Sequence, residues 1–561
     1  MKKISKLLSI LLAGACLGSA FAGCSDTGGT GGVQIDETKN QIRVGSFNGG
    51  FGTKWLEEIA KDFEAAYANE TFGTNKTGVQ VIIDPQENFI GQTLAENIAK
   101  SKNSVIFAEQ VYYDEMVKKN LLLDITDVMK SEPAQGDGTL ESKLLDWQVE
   151  VLNREGKYYA LPHYQIFSGL IYDKDLFEEY GFFLPLYPDT DANEYGFLAD
   201  PSYPKSYGPD GEPETDDDGL PSTYEELESL IYYMAKGTDV TPFIWTGKSK
   251  GYINKAVVAA ASAYNGKDGM LVQATFDSKG KELEVVTGFA QNGDPIVEKK
   301  AITPETGYLA RQLYGSYLGY EFCEYILSDN DFYTSSTRGD TVSQTGAQRE
   351  YIYSAYEKGQ DPIAFLLDGG YWENEATNAF KTFEDKFDAN HKFERNFGML
   401  PMPTAEGGVA TMTDTAFSYV VANANIASNP LEVKIAKAFL QFCYSNAALE
   451  KFTLSTGSTR ALKYDISADA YGKLSSYQQS VWDQRKAGDW TATVSTNKTY
   501  LNAQTKFSLT ANSEYYISDV AGKGQFKNIY AAVKGNGLTA ADYFKGLWIS
   551  ESVWKDTYYK G

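Results

Sequence analysis

Histidine and cysteine are scarce: 561 residues include two histidines, His163 and His391, and four cysteines. So few histidines exclude most zinc sites and most Ser–His or Cys–His catalysis, because both chemistries use imidazole. Basic residues are also in deficit, with 51 Lys and Arg against 75 Asp and Glu, for a net charge of −24. A charge of that sign repels nucleic acid and anionic lipid headgroups, so neither is an expected partner.

Motifs for catalysis and nucleotide binding are missing as well. Gly50-Phe-Gly52 stands where a dinucleotide fingerprint would, but Trp55 occupies the third glycine position. Gly247-Lys-Ser249 is half of a P-loop whose leading glycine is replaced by Pro242. HExxH and CxxC do not occur. Carboxylates are abundant, so a pair that would hydrolyse glycosides stays open as an alternative.

The N terminus carries the one apolar run that points to a membrane. Lys2 and Lys3 precede the apolar run from Ile4 to Leu17, which is too short to span a bilayer comfortably. Residues 1–23 are therefore predicted to be a secretory signal peptide. The mature chain is expected outside the cytoplasm.

Phe21-Ala-Gly-Cys24 at the end of this peptide resembles the bacterial lipobox, whose cysteine becomes the lipidated first residue of the mature protein. The Ser/Thr/Gly-rich stretch within 24–40 has the composition of a flexible tether. We therefore expect Cys24 to anchor the chain to the outer face of the cell membrane. The alternative is an ordinary signal peptide with an incidental cysteine.

Cys323 and Cys443 both lie in aromatic contexts, EFCEY and QFCYS. Such contexts favour buried free thiols, although the sequence leaves a disulfide between them open.

Strand and helix alternate in the first part of the mature chain. Strands are predicted at Gln41–Phe47, Val79–Ile83 and Ser104–Ala108, and helices at Lys54–Ala68 and Asn88–Lys100. This spacing is typical of βαβ units and predicts a parallel sheet.

Later segments depart from this pattern. Residues 184–219 are rich in proline and acidic residues and predict a long surface excursion. Within them, Asp210, Asp216 and Asp218 could hold Ca²⁺, although a solvated acidic loop is the alternative and no cofactor is otherwise expected. Residues 270–300 are predicted to be extended strands with turns.

Aromatic, amide and acidic residues follow the predicted strands, where ligands bind in open α/β sheets. A pyranose has apolar C–H faces that stack on aromatic rings and hydroxyls that bond to carboxylates and amides. The pattern therefore predicts a sugar site, with core packing as the alternative for each aromatic residue. The candidate residues are Asn48, Phe51, Gln110, Tyr164, Gln165, Trp245, Asp368, Tyr371, Trp372 and Asp414.

Several segments, in their order, resemble the family 1 extracellular solute-binding proteins of ABC importers, the maltose-binding-protein-like class. The segments are IRVGSFNGGFGTKWLEEIAKDFE, SVIFAEQVYYDEMVKKNLLLDITDVM, LPHYQIFSGLIYDKDLFEEYGF and AFLLDGGYWENEA. The last resembles the segment of the family that stacks on ligand. Asp173 stands where the family usually has Asn.

The resemblance implies a type II periplasmic-binding-protein-like α/β fold, with two lobes joined by a hinge of crossing strands. It implies a monomer that closes on its ligand and is then recognised by the importer's permease. Lobe 1 would hold residues 40–155 and 412–450, and lobe 2 residues 156–411 and 451–561, with insertions at 184–219 and 270–300.

Three functions remain to be separated. The first is a non-catalytic carbohydrate-binding lipoprotein, whose ligand would be an oligosaccharide. The second is a secreted glycoside hydrolase with an unrecognised carboxylate pair. The third is a binder of an amino acid or peptide, for which Arg460 is the candidate partner of a ligand carboxylate.

Overall fold

A computed structural model describes residues 34–388, 395–507, 522 and 526–559. The predicted signal peptide, Cys24, most of the tether and His391 lie outside the described residues. In the part of the chain that is described, no helix combines the length and the apolarity needed to cross a bilayer.

The strands fall into two main sheets and two short pairs. In chain order they are β1 Asn40–Phe47, β2 Val79–Gln86, β3 Val105–Ala108, β4 Ala160–Pro162, β5 Ser168–Asp173, β6 Thr241–Ile244, β7 Glu282–Phe289, β8 Pro295–Ala301, β9 Ile363–Gly369, β10 Phe397–Met399, β11 Thr411–Asp414, β12 Tyr419–Ala422 and β13 Asp489–Ala492.

Helices of seven residues or more surround these sheets. They are α1 Lys54–Ala66, α2 Leu94–Lys100, α3 Asp146–Leu152, α4 Lys174–Tyr180, α5 Tyr224–Gly237, α6 Asn254–Thr275, α7 Tyr314–Ser328, α8 Gln344–Ser354, α9 Thr377–Phe383, α10 Pro430–Cys443, α11 Asn446–Thr456, α12 Ser476–Ala487, α13 Ile529–Asn536 and α14 Ala540–Gly546. A 3-10 helix spans Pro304–Arg311, and shorter helical turns include Tyr113–Lys118 and Trp372–Glu375.

The first sheet has the order β2-β1-β3-β12-β4. β1 pairs in parallel with β2 and β3, as the βαβ pattern predicts. β12 then pairs antiparallel with both β3 and β4. The sheet is therefore mixed, because a strand from late in the chain inserts between two early ones.

Apolar spacing explains how α1 packs on this sheet. Trp55, Ile59 and Phe63, each four residues after the last, are buried on one face of the helix. They join a core that includes Phe439 of α10 and Phe452 of α11. Burial of this stripe holds helices from both ends of the chain on the same sheet.

The second sheet has the order β10-β5-β9-β6 and its own core. Thr223 is the N-cap of helix α5 and forms a capping box with Glu226. Helix α4 begins where the Asp173 carboxylate accepts from the Leu176 N–H, and it ends at Gly181, which adopts the left-handed conformation. These caps fix where each helix leaves the sheet.

Crossing segments connect the two sheets. The chain passes to the second sheet after β4, returns through β11 to β12, and leaves the first sheet again after α11. Neighbouring segments bond to one another: His163 N–H donates to Ser418 O at 2.9 Å, and Gln165 N–H to Thr459 O at 2.9 Å. β11 also pairs in parallel with β13. These contacts have the form of the predicted hinge of crossing strands.

One element of the expected organisation was wrong in its first part. Residues 270–300 were predicted to be extended, but helix α6 continues to Thr275, and only β7 and β8 form a hairpin. The element kinks at Gly266, where φ is 65° and ψ is 179°, and a second helical segment follows the kink as far as Thr275.

The lobe boundaries themselves stay a prediction. β4 lies beyond the expected boundary at residue 155 yet pairs within the first sheet. Phe452 of α11 lies beyond the expected boundary at 450 and packs in the first core.

Cys323 and Cys443 are free, fully buried thiols in different cores. Burial raises the pKa of both, that of Cys443 to about 12, so thiolate is scarce.

A chain beginning at Ser25, which retains only these two cysteines, should not react with Ellman's reagent while folded and should show both thiols in denaturant. A thiol that reacts in the folded chain, or a mass two hydrogens lighter, would contradict this.

Candidate functional site

Charged side chains from both sheets meet where the strand ends face each other. We call Glu109, Lys255, Asp368, Glu375 and Asp414 the buried charge cluster. Glu109 follows β3, Asp368 is in β9, and Asp414 ends β11. Lys255 is in the first turn of α6, and Glu375 is in the helical turn after β9. The ends of three strands therefore supply carboxylates to one place.

Lys255 lies at the centre of the cluster with no exposed surface. Its Nζ donates to the Tyr371 hydroxyl at 3.1 Å and lies 3.9 Å from Oδ1 of Asp368. The ammonium also lies 4.8 Å from the ring centroid of Tyr252 and 5.1 Å from that of Tyr371. A buried ammonium needs such partners because it has lost its water.

Amide side chains hold the carboxylates on the side of the second sheet. Gln348 Nε2 donates to Asp368 Oδ2 at 2.9 Å and to Glu375 Oε2 at 3.0 Å. Gln344 Nε2 donates to the same Glu375 oxygen at 2.6 Å. Both amides come from α8, so this helix positions the two acids.

Glu109 and Asp414 complete the cluster from the first sheet and the crossing strand. The Tyr164 hydroxyl donates to Glu109. Oδ1 of Asp414 accepts from the backbone N–H groups of Ile166 at 3.0 Å and Ala416 at 2.9 Å. Asp414 therefore ties together two of the crossing segments.

Aromatic rings close the space between the two sheets. Phe51, after β1, lies 4.8 Å from the ring of Tyr164 and 6.4 Å from that of Tyr371. Gly50 makes the approach possible, since a Cβ there would lie 3.0 Å from Tyr371 Cβ and 3.1 Å from the Glu375 carboxylate. Half-buried Tyr371 is the ring that borders both the apolar and the charged surfaces of the site.

Burial makes these acids hard to ionise. It raises the pKa of Glu109 to about 7, with the nearby Asp414 carboxylate adding to the shift and the Tyr164 hydroxyl opposing it. It raises the pKa of Asp414 to about 7 despite the two backbone N–H donors. The pKa values of Glu375 and Asp368 are also raised, burial being the main cause. Raised acid pKa values beside a buried lysine are typical of a functional site.

The structure thus brings together five of the residues predicted from the sequence. They are Phe51, Tyr164, Asp368, Tyr371 and Asp414. Asn48 is exposed at the end of β1. Gln110 follows Glu109 with a positive φ of 50° and donates its N–H to Ala416 O, which fixes the loop.

Two tryptophans predicted to stack on ligand are instead fully buried core residues. Trp245 stacks on Tyr333 with ring centroids 5.1 Å apart. Trp372 packs edge-on against Phe397 at 5.1 Å and against Tyr477 at 5.6 Å. Trp372 begins a helical turn that directs its ring into the core, while Tyr371, one residue earlier, faces the cluster.

Arg460 and Gln165, two further residues predicted to bind ligand, make their contacts within the protein. Arg460 has no exposed surface, and its guanidinium lies 4.1 Å from the ring centroid of Phe452 and bonds His163. It cannot reach a ligand carboxylate from this position. The hypothesis of a peptide or amino-acid ligand therefore loses its candidate carboxylate-binding residue. Gln165 Oε1 accepts from Arg485 Nε at 2.8 Å and from Thr459 at 2.7 Å, so it braces the crossing segments.

Sequence reasoning missed Lys255, Glu375 and the two glutamines of α8. Lys255 carried a signal, since it is a lone charge in the small-residue stretch NKAVVAAASAY. The glutamines carried none, because polar residues on a helix are ordinarily solvated.

The acidic loop around Asp210 gives no support to a Ca²⁺ site. Asp217 accepts from Asp210 N–H at 3.1 Å, and Asp218 accepts from Glu214 N–H at 2.9 Å. Asp216 lies 3.5 Å from Lys174. Within the described ranges, no group of three or more His, Cys, Asp or Glu side chains is placed to hold a metal ion.

Two α/β halves joined by crossing segments, with polar and aromatic side chains gathered between them, define a two-lobed binding protein. The sequence model of the bacterial extracellular solute-binding protein family matches residues 52–450. The chain therefore belongs to this family, as the resemblance predicted. A comparison with curated proteins finds no match.

Solved structures share the fold at low sequence identity. A chitin oligosaccharide binding protein is 15% identical, with 93% of this chain and 100% of that one covered and a TM-score of 0.53. Maltose-bound MalE3 of T. maritima is 15% identical, with 92% and 99% covered and a TM-score of 0.51. A structure from work on xylan utilization by Caldanaerobius polysaccharolyticus is 14% identical, with 91% and 99% covered and a TM-score of 0.51. The predicted type II fold is confirmed.

The raised pKa of Asp414 gives a testable pH dependence. Between about pH 4 and pH 7 the folded chain keeps a proton that the unfolded chain releases, so rising pH lowers the free energy of unfolding. Asp414→Asn removes this proton but keeps an oxygen for the two N–H donors. Its free energy of unfolding should fall less between about pH 5 and pH 7.5, by on the order of 1–3 kcal/mol.

Urea denaturation at both pH values measures this difference. Glu96→Gln, at an exposed position of α2, is the control and should follow the unsubstituted chain. Equal declines for Asp414→Asn and the unsubstituted chain would show that Asp414 titrates normally.

Proposed function

We propose that this solute-binding protein takes up a carbohydrate between its two lobes and presents it to the permease of an ABC importer. The observation that carries the proposal is the Tyr371 ring beside Asp368, Glu375 and the amides of α8. An aromatic face next to carboxylates and amides suits the apolar face and hydroxyl edge of a sugar. The titles of the structural neighbours, which name a chitin oligosaccharide, maltose and xylan, support the same class.

Closure links binding to transport. Glu109 comes from the first sheet, and Lys255 and Tyr371 from the second half, so a ligand touching all of them favours the closed arrangement. Lys255 and Asp368 are inaccessible in this structure, and the two halves must separate before a ligand enters. The permease then distinguishes occupied from empty protein by the position of the lobes.

We propose binding without turnover. The Asp368 and Glu375 carboxylates face Gln348, and Asp368 also faces Lys255, so these acids are engaged with the protein. The glycoside hydrolase alternative makes a different prediction for the bound sugar. An oligosaccharide incubated with the purified chain should be recovered intact by chromatography, and shortened products would favour the enzyme.

Substitution of Tyr371 tests the site. Tyr371→Ala should weaken binding of a neutral oligosaccharide by about 1–3 kcal/mol, because the stacking ring is lost. Calorimetry against oligomers of glucose, xylose and N-acetylglucosamine measures this loss. Trp372→Ala, at the adjacent residue, is the control. It should lower the free energy of unfolding by about 3–5 kcal/mol, because a buried ring is lost, and leave the affinity of the folded protein for the oligosaccharide unchanged. If Trp372→Ala abolishes binding and Tyr371→Ala does not, the sugar does not stack on Tyr371.

We also propose that Cys24 anchors the protein to the outer face of the membrane. The lipobox-like Phe21–Cys24 and the tether composition after it support this proposal. Cys24→Ser should move the protein from the membrane fraction to the medium or periplasm. Retention of the variant in washed membranes would show that something other than this cysteine holds it.

A further inference from the structure

A groove of about 670 Å³ begins beside the buried charge cluster and is not part of it. Its inner end is lined by Ser168 and Thr413. Ser168 is paired with Gly369 in the sheet, next to Asp368, and Thr413 precedes Asp414. Lys255 of the cluster lies one turn of α6 before Ala259, which lines the groove, so a ligand bound beside Lys255 can extend along this helix into the groove.

Ser168 is a hydrogen-bonding group without a partner. The residue is 8% exposed, and its Oγ makes no hydrogen bond within the described part of the chain. Buried hydroxyls are ordinarily satisfied, and an unsatisfied one at a cavity wall is explained by a ligand or ordered water. The neighbouring Ser262 and Thr413 hydroxyls already bond to each other at 2.7 Å.

The middle of the groove is apolar. Tyr172, Met399, Leu400 and Met402 line it with mostly buried side chains. A ring with apolar C–H faces fits such a wall better than a strongly hydrated ion does. Together with the Ser168 hydroxyl, this surface suits another sugar unit of the same chain.

The outer end carries an excess of negative charge. The 184–219 insertion contributes Asp210, Asp216 and Asp217, and α12 contributes Asp483. Lys174 is the basic residue of the lining and lies 3.5 Å from Asp216. Lys174 also lies close enough to Asp483 to oppose the rise in its pKa, but among the described residues no lysine or arginine lies within ion-pair distance of Asp217 or Asp483.

These two carboxylates are half-buried, and burial raises the pKa of each. Asp483 accepts from the Tyr471 hydroxyl at 2.6 Å, and Asp217 accepts from Thr215 at 2.7 Å. Such neutral donors compensate a desolvated carboxylate only in part, and a cation would compensate it more fully.

We propose that this groove extends the binding site and selects an oligosaccharide with a free, protonated amino sugar, whose ammonium lies between Asp217 and Asp483. The proposal rests on the carbohydrate-binding function. It assigns a role to the acidic insertion, namely to place negative charge at a fixed distance from the cluster.

Calorimetry with a glucosamine trimer and the N-acetylglucosamine trimer, at a pH where the amine is protonated, tests the assignment. The glucosamine trimer should bind at least about tenfold more tightly, and added salt should reduce this preference. Asp217→Asn and Asp483→Asn should each remove much of the preference and leave the affinity for the N-acetylated trimer unchanged. Asp361→Asn, at an exposed position before β9, is the matched control.

Ser168→Ala tests the contribution of the groove independently of its acidic residues. It should weaken binding of both trimers by about two- to tenfold, since each loses the same hydrogen bond. Equal affinities of the two trimers, together with unchanged affinities in Asp217→Asn and Asp483→Asn, overturn the proposal while the carbohydrate function stands. Spermidine binding as tightly as the glucosamine trimer also overturns it. Failure of every saccharide to bind refutes the carbohydrate function and this inference with it.

Discussion

The burial of the Lys255 ammonium is the constraint on which the site depends. Removal of a charged group from water costs several kcal/mol, and only well-placed partners offset this. Those partners come from different elements: Asp368 from β9, and Tyr371 from the turn that follows it. Strand β9 and the turn after it must therefore end at defined positions, so that their side chains reach the ammonium and offset its lost hydration.

The same constraint couples the two halves of the molecule. Glu109 reaches the cluster from the first sheet, and Asp414 reaches it from a crossing strand. In the binding cycle proposed above, separation of the halves would expose these acids to water and restore their ordinary ionisation. Closure buries them again beside Lys255. A polar solute that supplies hydroxyl groups at closure can replace the lost water, which is a physical reason for a binding protein to keep charged residues at this interface.

Much of the local structure followed from the sequence because its causes are local. A helix was predicted over Lys54–Ala68, and α1 forms at Lys54–Ala66; the predicted strand over Gln41–Phe47 likewise forms as β1. Part of the candidate site was predicted, because polar residues that follow the strands of an open α/β sheet lie together at the strand ends. Asp368 and Asp414 were found by that rule, and Lys255 was not, because it belongs to a helix.

The sequence by itself determined the alternation of elements and the family. These depend on periodicity, caps and the order of residue types along the chain. Only the tertiary structure decided which aromatic ring lies beside the buried charge cluster, because Tyr371 and Trp372 are adjacent and equally aromatic. Their difference arises from the turn after β9, which directs one ring into a core built by distant segments and leaves the other beside Lys255. Packing between residues far apart in the chain sets that direction, and no local pattern encodes it.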